Sequence, residues 1–223
     1  VFRLVKWAAL CIIGHAMTTN EAWDLVGGLS SPSKLPCYGY SIPARHCITG
    51  KKLHNVEGSV CSNCYALKGR YAFANVQNAL DRRFASLQNP RWVEAMVYLI
   101  GKLERSGYFR WHDSGDLQGV WHLELICKVA QLTPNVKHWL PTRELSIVRE
   151  YREKKFFPSN LCVRLSGFMV DGTAPTAMAS TWGCATSTVV TTGANCPAPK
   201  QGNKCLDCRA CWDVNKPVAY AKH

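Results

Sequence analysis

The sequence has no apolar run long enough to cross a bilayer. The stretch Trp7 to Ile13 holds seven residues, against the roughly 20 that a spanning helix needs. Arg3 and Lys6 in front of that stretch give it the outline of a secretory leader, but a small-x-small cleavage site is missing. A packed N-terminal helix, with Cys11 as a small buried hydrophobe, is the better expectation, and no membrane partner is expected. Also missing are the Gly-rich phosphate loops of the Walker and dinucleotide kinds and the Gly-x-Ser-x-Gly nucleophile turn, which sets those chemistries aside. No internal repeat or low-complexity tract interrupts the 223 residues, so the chain is one large domain or a domain with a small appendage.

Acidic residues are scarce. Fifteen Asp and Glu stand against 27 Lys and Arg, a formal net charge of +12. Such an excess attracts either RNA or DNA, or an anionic small molecule. The cations are scattered, with only short runs such as Lys51-Lys52 and Lys154-Lys155, which favours the second.

Cysteine, by contrast, is plentiful. Twelve residues fall below the density of a small disulfide scaffold, and several lie at x-x spacing, which points to metal in a reducing cytoplasm. Cys61 and Cys64 form a Cys-x-x-Cys pair, with Cys47 fourteen positions earlier. Two thiolates from one tight turn reach one centre, and a distant third closes another side. A dithiol redox pair would need no Cys47, and zinc would need a fourth ligand such as His46 or His54. The second group, Cys196, Cys205, Cys208 and Cys211, ends in the Cys-x-x-Cys-x-x-Cys run typical of ferredoxin-type loops, with zinc as the alternative. If both groups met at one centre, Cys37 and Cys184 would be spare ligands. One or two four-iron clusters are the leading expectation. Two such clusters would bring the net charge of +12 down to about +9. Cys127 and Cys162 sit in apolar stripes and read as structural.

Between these groups the pattern alternates. Thr18-x-x-Glu21 caps a short helix ending at Gly27-Gly28, and Cys37 to Pro43 reads as a strand. Helices follow on the stripes Val76, Leu80, Phe84, Leu87 and Val93, Met96, Val97, Ile100, the second opened by Asn89-Pro90. Strand Tyr108 to Trp111, helix Val120 to Ala130, strand Val136–Leu140, helix Leu145 to Lys155 and strand Leu161–Leu165 come next. Past Asp171 the periodicity fades, with short strands expected near Met178 and Val189. The fold class is α/β: an open parallel sheet or partial (β/α) barrel with a cysteine-rich irregular C-terminal extension. The expected segments are a helical 1–33, the barrel core 34–183 and the extension 184–223.

In such sheets ligands bind beyond the carboxyl ends of the strands. There lie His112, Asp113 and Asp116, the candidate catalytic groups, which as helix-capping residues also have a purely structural reading. Ser114, Gly115, Arg143, Arg164, Ser166 and Tyr65 are the candidate cofactor-binding residues. The two arginines would clamp a carboxylate or phosphate, or else pair with Asp113 and Asp116.

The stretches SIPARHC, CSNCYALKGRY, FRWHDSGDLQ and LPTRE, with the late cysteine group, resemble the phage gene product 88 domain proteins over roughly residues 34–212. The resemblance implies a phage-encoded protein, in the cytoplasm of the infected host, with an iron–sulfur centre. A more distant similarity is to radical S-adenosylmethionine enzymes, which hold a four-iron cluster on three cysteines after the first strand of a partial barrel. Their usual spacing is Cys-x-x-x-Cys-x-x-Cys; here the first gap is expanded. That similarity implies an open iron on Cys47, Cys61 and Cys64, S-adenosylmethionine as cofactor, and redox, Lewis-acid or radical chemistry on a small molecule. The alternative is a metal-stabilised nucleic-acid-binding protein without catalysis.

Overall fold

In the computed structural model, which describes residues 17–222, strands and helices alternate along the chain. The strands are β1 (Gly39–Tyr40), β2 (Tyr108–Trp111), β3 (Lys137–Thr142), β4 (Leu161–Val170), β5 (Ala185–Val190) and β6 (Val218–Ala221). They pair in chain order into one sheet, every pair parallel. Among the described residues β6 does not pair back to β1, so the α/β sheet is open. The expected helix at Trp7 to Ile13, with Cys11, lies outside the described residues.

A parallel neighbour can be reached only by a crossover, and crossovers are right-handed, so successive ones in chain order fall on the same face. The helices are α1 (Thr19–Val26), α2 (Ile48–Leu53), α3 (Ala74–Ser86), α4 (Trp92–Leu103), α5 (Val120–Leu132), α6 (Leu145–Arg152) and α7 (Thr176–Trp182). One contiguous core joins residues of α1 and α4 to α7 to Tyr40, Phe109, Trp111, Leu140, Val163 and Leu165 of the sheet. At its centre the Tyr40 hydroxyl sits 2.9 and 2.8 Å from the carbonyls of Val26 and Arg83, and accepts the Trp92 indole N–H at 3.1 Å. Local signals set the ends. Thr18 caps α1 by accepting from the Glu21 amide, and Gly27 closes it at φ 71°.

Strand side chains alternate between faces. The residues between the core positions, Arg110, Trp139, Arg164 and Tyr220 among them, therefore stand on the opposite face. There Trp212 packs with Trp139 and Cys37 in a small second core, and its indole N–H donates to the Phe109 carbonyl at 2.9 Å.

The late chain departs from expectation. Met178 lies in α7, not a strand. β6, the short stretch VAYA that no alternation marks out, completes the sheet beside β5. The sheet thus continues across the expected boundary at 183/184, and the late cysteines lie on a loop between two of its strands.

A cysteine-lined cavity as candidate metal centre

The face away from the helices opens into a cavity of about 1620 Å³. Its walls include Arg110 and His112, Trp139 and Pro141 to Arg143, and Ser187 to Val189, on and just past the strands. Cys47, Cys61 and Cys64 line it, as do Cys196, Cys205 and Cys211 of the late group.

The first cysteine loop is held from three sides. Cys47 precedes α2, whose first amides are capped from elsewhere: the buried Glu144 carboxylate accepts from Ile48 N at 3.1 Å, Thr49 N at 2.8 Å and Thr49 Oγ1 at 2.6 Å. An anion on a helix N-terminus is favourable. The turn before Cys61 is fastened to the end of β4, with Val60 N donating to Phe168 O and Val170 N to Gly58 O. Ser59 ties the same turn to Leu53 O at 2.6 Å. Gly50 gives the thiols their room. A Cβ there would stand 2.9 Å from Cys47 Cβ, 3.6 Å from Cys61 Sγ and 3.7 Å from Cys47 Sγ.

Burial raises the Cys47 thiol pKa, and Asp116, Cys64 and Cys61 raise it further. Burial raises Cys61 too, against the pull of the Arg143 guanidinium beside it. Arg143 fixes its Nε on the Gly167 carbonyl at 3.0 Å. Of the two expected zinc-completing histidines, His46 stacks on Phe84 at 4.0 Å, whereas His54 lines the cavity with Nδ1 3.2 Å from the Cys61 carbonyl, a contact that leaves Nε2 open to a metal.

Asp116 is not turned to a ligand. Its Oδ1 accepts from Leu117 N at 2.8 Å and Thr142 Oγ1 at 2.6 Å, and its Oδ2 from Arg143 N at 2.9 Å. It ties the end of β2 to the end of β3. Burial, then Glu144, pushes its pKa up to about 6. Asp113 accepts from Tyr71 at 2.8 Å, and its carbonyl accepts from the Tyr65 hydroxyl. Gly115, at φ 81°, passes so close to Ile42 that a Cβ would lie 2.3 Å from its Cγ1. Ser166 and Ser187 share a hydrogen bond at 3.1 Å. His112 is buried at φ 53°, and neither ring nitrogen has a partner among the described residues.

Arg164 corrects the expected clamp. Its fork points to the late cysteine loop, donating to the carbonyls of Thr186 at 2.6 Å, Lys216 at 2.8 Å, Ala210 and Asp213 at 2.9 Å and Cys211 at 3.3 Å. It is fully buried and holds that loop to the sheet. Of the expected opposition of two aspartates to two arginines, only Arg143 remains beside the thiols.

In the late group, Cys205 N donates to Lys34 O at 2.9 Å, and Cys211 Sγ lies 3.2 Å from the Tyr220 hydroxyl. Cys196, Cys208 and Cys211 also line a separate cavity of about 320 Å³. Cys196 and Cys208 both lie close enough to Cys205 to act on it electrostatically, and Cys205 does the same to Cys37. Cys37 therefore sits with the late group, its pKa pushed up to about 12 by burial first and then Glu104. Cys184 belongs to the helix-side core.

Sequence reasoning missed Glu144, Gly50 and Arg110. Arg110 had a signal: a cation alternating with Phe109 and Trp111 in a four-residue strand. Its guanidinium lies 4.5 Å over Trp139. Burial works against its charge, but Tyr65, Asp113 and Tyr220 outweigh burial and keep its pKa above the ordinary arginine value.

Among the described residues no three His, Cys, Asp or Glu side chains converge as ligands of one ion do. Tetrahedral zinc, at about 2.3 Å per sulfur, needs thiolates on the order of 3.8 Å apart. A closed zinc site is therefore not preformed on either group. The donor set, three thiols on one cavity wall, is of the kind a multi-iron group takes, each ligand on its own iron.

Fold and site define a parallel α/β protein whose strand ends and late loop present two sets of thiols to one cavity. The chain belongs to the gene product 88 family, whose model matches residues 14–214, as its phage-like motifs led one to expect. No curated protein and no solved structure gives a match. No helix among the described residues is long and apolar enough to cross a membrane.

Proposed function

We propose that Cys47, Cys61 and Cys64 hold an iron–sulfur cluster with one iron left free of protein ligands, and that the protein performs redox, Lewis-acid or radical chemistry on a small molecule in the cavity of a host-cytoplasmic enzyme. The observation that carries this reading is that the three thiols line one deep cavity at the carboxyl ends of parallel strands, with Gly50 keeping the space between two of them clear. When bound, such a cluster supplies an electron or an electrophilic iron.

The chain's own residues orient and insulate. Glu144 fixes the helix that Cys47 begins, and Arg143 offsets negative charge at Cys61. Asp116 locks the two strand ends that carry His112 and Arg143. Cys196, Cys205, Cys208 and Cys211 form a second, closed centre with a structural role. S-adenosylmethionine is the cofactor to test first, although Asp113 and Asp116, the carboxylates that line the cavity, are engaged with Tyr71 and the backbone.

The test is iron and sulfide analysis of anaerobically purified protein, with EPR of the reduced state before and after adding S-adenosylmethionine. Iron and sulfide that fall in Cys61→Ser, and a signal that shifts with the cofactor, support the reading. Zinc at the first group, or a fourth protein ligand on its cluster, defeats it.

A further inference from the structure

Arg110 and Arg164 stand on the same face of the same sheet, and their surroundings differ. Arg164 finds five backbone carbonyls for its two Nη atoms. Arg110 finds no carbonyl or carboxylate among the described residues. Its Nε, like that of Arg164, is buried without a partner among the described residues, and the Tyr65 hydroxyl is its hydrogen-bonding neighbour. A guanidinium carries five donors in a rigid fork; Arg110 is half-buried, Asp113 acts on it only through space, and leaving its fork without a paired anion carries a desolvation cost. The aromatic face of Trp139 recovers part of that cost.

The cavity around it is short of anions. Asp113 and Asp116 are its only lining carboxylates among the described residues, against Lys34, Lys51, Arg70, Arg143 and Lys222 on the cationic side. Both oxygens of Asp116 are occupied by Leu117, Thr142 and Arg143. Asp113 gives one oxygen to Tyr71 and forms no ion pair with Arg110. Arg143, whose Nη atoms have no hydrogen-bond partner among the described residues, points at the thiol end. It lies four residues past Trp139, the register partner of Arg110, so about 13 Å further along the strands.

We infer that Arg110 anchors an oxyanion, a phosphate or carboxylate group, of a small-molecule ligand whose other end reaches the Cys47, Cys61 and Cys64 wall. A bidentate fork backed by an aromatic face suits either group. This names a substrate class for the function proposed above and rests on that reading only for the chemistry at the thiols. Oxyanion binding itself requires no metal, so the two can fail separately.

The test is calorimetric titration of the full chain with inorganic pyrophosphate and, separately, succinate. The stronger probe tells phosphate from carboxylate. Arg110→Gln should weaken it by at least about tenfold, and Arg110→Lys, which keeps charge and bulk but loses the fork, by about fivefold. Lys128→Gln, at an exposed position of α5, should change nothing. If Arg110→Gln does not fold, Arg110→Lys carries the result. The inference is overturned if neither probe binds the wild type, if both Arg110 variants bind as the wild type does, or if Lys128→Gln weakens binding equally. It is also overturned if a single-stranded oligonucleotide binds far more tightly than either probe and loses as much from Lys51→Gln as from Arg110→Gln. Metal content measured on the same samples shows separately whether the cluster reading stands.

Discussion

His138 and Trp139 are neighbours in β3 and face opposite sides of the sheet. On the helix side, His138 Nδ1 accepts the Trp111 indole N–H at 3.2 Å, Nε2 meets Thr133 Oγ1 at 2.8 Å, and Thr133 passes its proton to the Val129 carbonyl at 2.8 Å. Every polar atom in that chain is satisfied. On the cavity side, among the described residues, the buried Trp139 indole nitrogen has no partner, nor do Arg110 Nε, Arg164 Nε, Asp113 Oδ1 and Ser114 Oγ. His122 is the helix-side exception, fully buried beside His112 with both nitrogens unpaired. One face is completed by the fold itself. The other leaves directed polar groups around a cavity, the arrangement expected of a face that receives something.

The largest break in that comparison is at Arg164, whose two Nη atoms are fully paired on the cavity face although its Nε has no partner among the described residues. Arg164→Met keeps bulk but strands the carbonyls of Thr186, Ala210, Asp213 and Lys216. Each buried orphan costs about 1–3 kcal/mol, so a loss above about 3 kcal/mol in urea unfolding is expected. If the variant stays within about 1 kcal/mol of the wild type, the late loop is held by something else. Cys205→Ala, Cys208→Ala and Cys211→Ala should follow the same direction, lowering both metal content and melting temperature. Cys61→Ala should lower metal content while leaving the melting temperature nearly unchanged.

The sequence made the helix face easy to read, because apolar residues at spacings of three and four, and alternation in YFRW, are direct imprints of burial. Strand β6 was invisible: VAYA has too little contrast, and its place is set by pairing with β5. At the site, cysteine spacing located both thiol groups, but roles that depend on where a long side chain ends could not be read. Arg143 and Arg164 read alike in successive units, yet Arg164 is in register with Pro141, two residues before Arg143, and one reaches Cys61 and the other the late loop. Glu144 stood within LPTRE and went unassigned, since its partners Ile48 and Thr49 are about 95 residues earlier.

Glu144 and Gly50 sharpen the comparison within the cavity face. Removing the carboxylate in Glu144→Ala uncaps α2, which should cost about 1–2 kcal/mol. The loss should come with weaker metal uptake at the first group alone. Gly50→Val puts bulk between Cys47 and Cys61, so metal content at that group should fall while the melting temperature moves by only a few degrees. Equal losses at both cysteine groups would mean that the two are not independent.

The smallest effect tests the helix face. Burial holds the His138 pKa down to about 3, against about 6.5 in an unfolded chain. Folded His138 is therefore neutral, as its hydrogen bonds require: an Nδ1 proton would meet the Trp111 N–H head on. Between these two values the unfolded chain binds a proton that the folded chain does not. The contribution to stability is complete above about pH 6.5 and is lost as pH falls towards 3, by up to about 1.4 kcal/mol per pH unit. Buried His122, also pushed down to about 3 by burial, adds the same slope. From pH 6.5 to 5.5 the wild type should therefore lose about 1 kcal/mol more than His138→Leu, measured by urea unfolding at each pH. The leucine variant starts less stable, because Trp111 and Thr133 lose a partner, so the slope and not the absolute stability is decisive. Parallel slopes would mean that His138 is protonated in the folded protein. The helix face would then not be the self-sufficient side of the sheet.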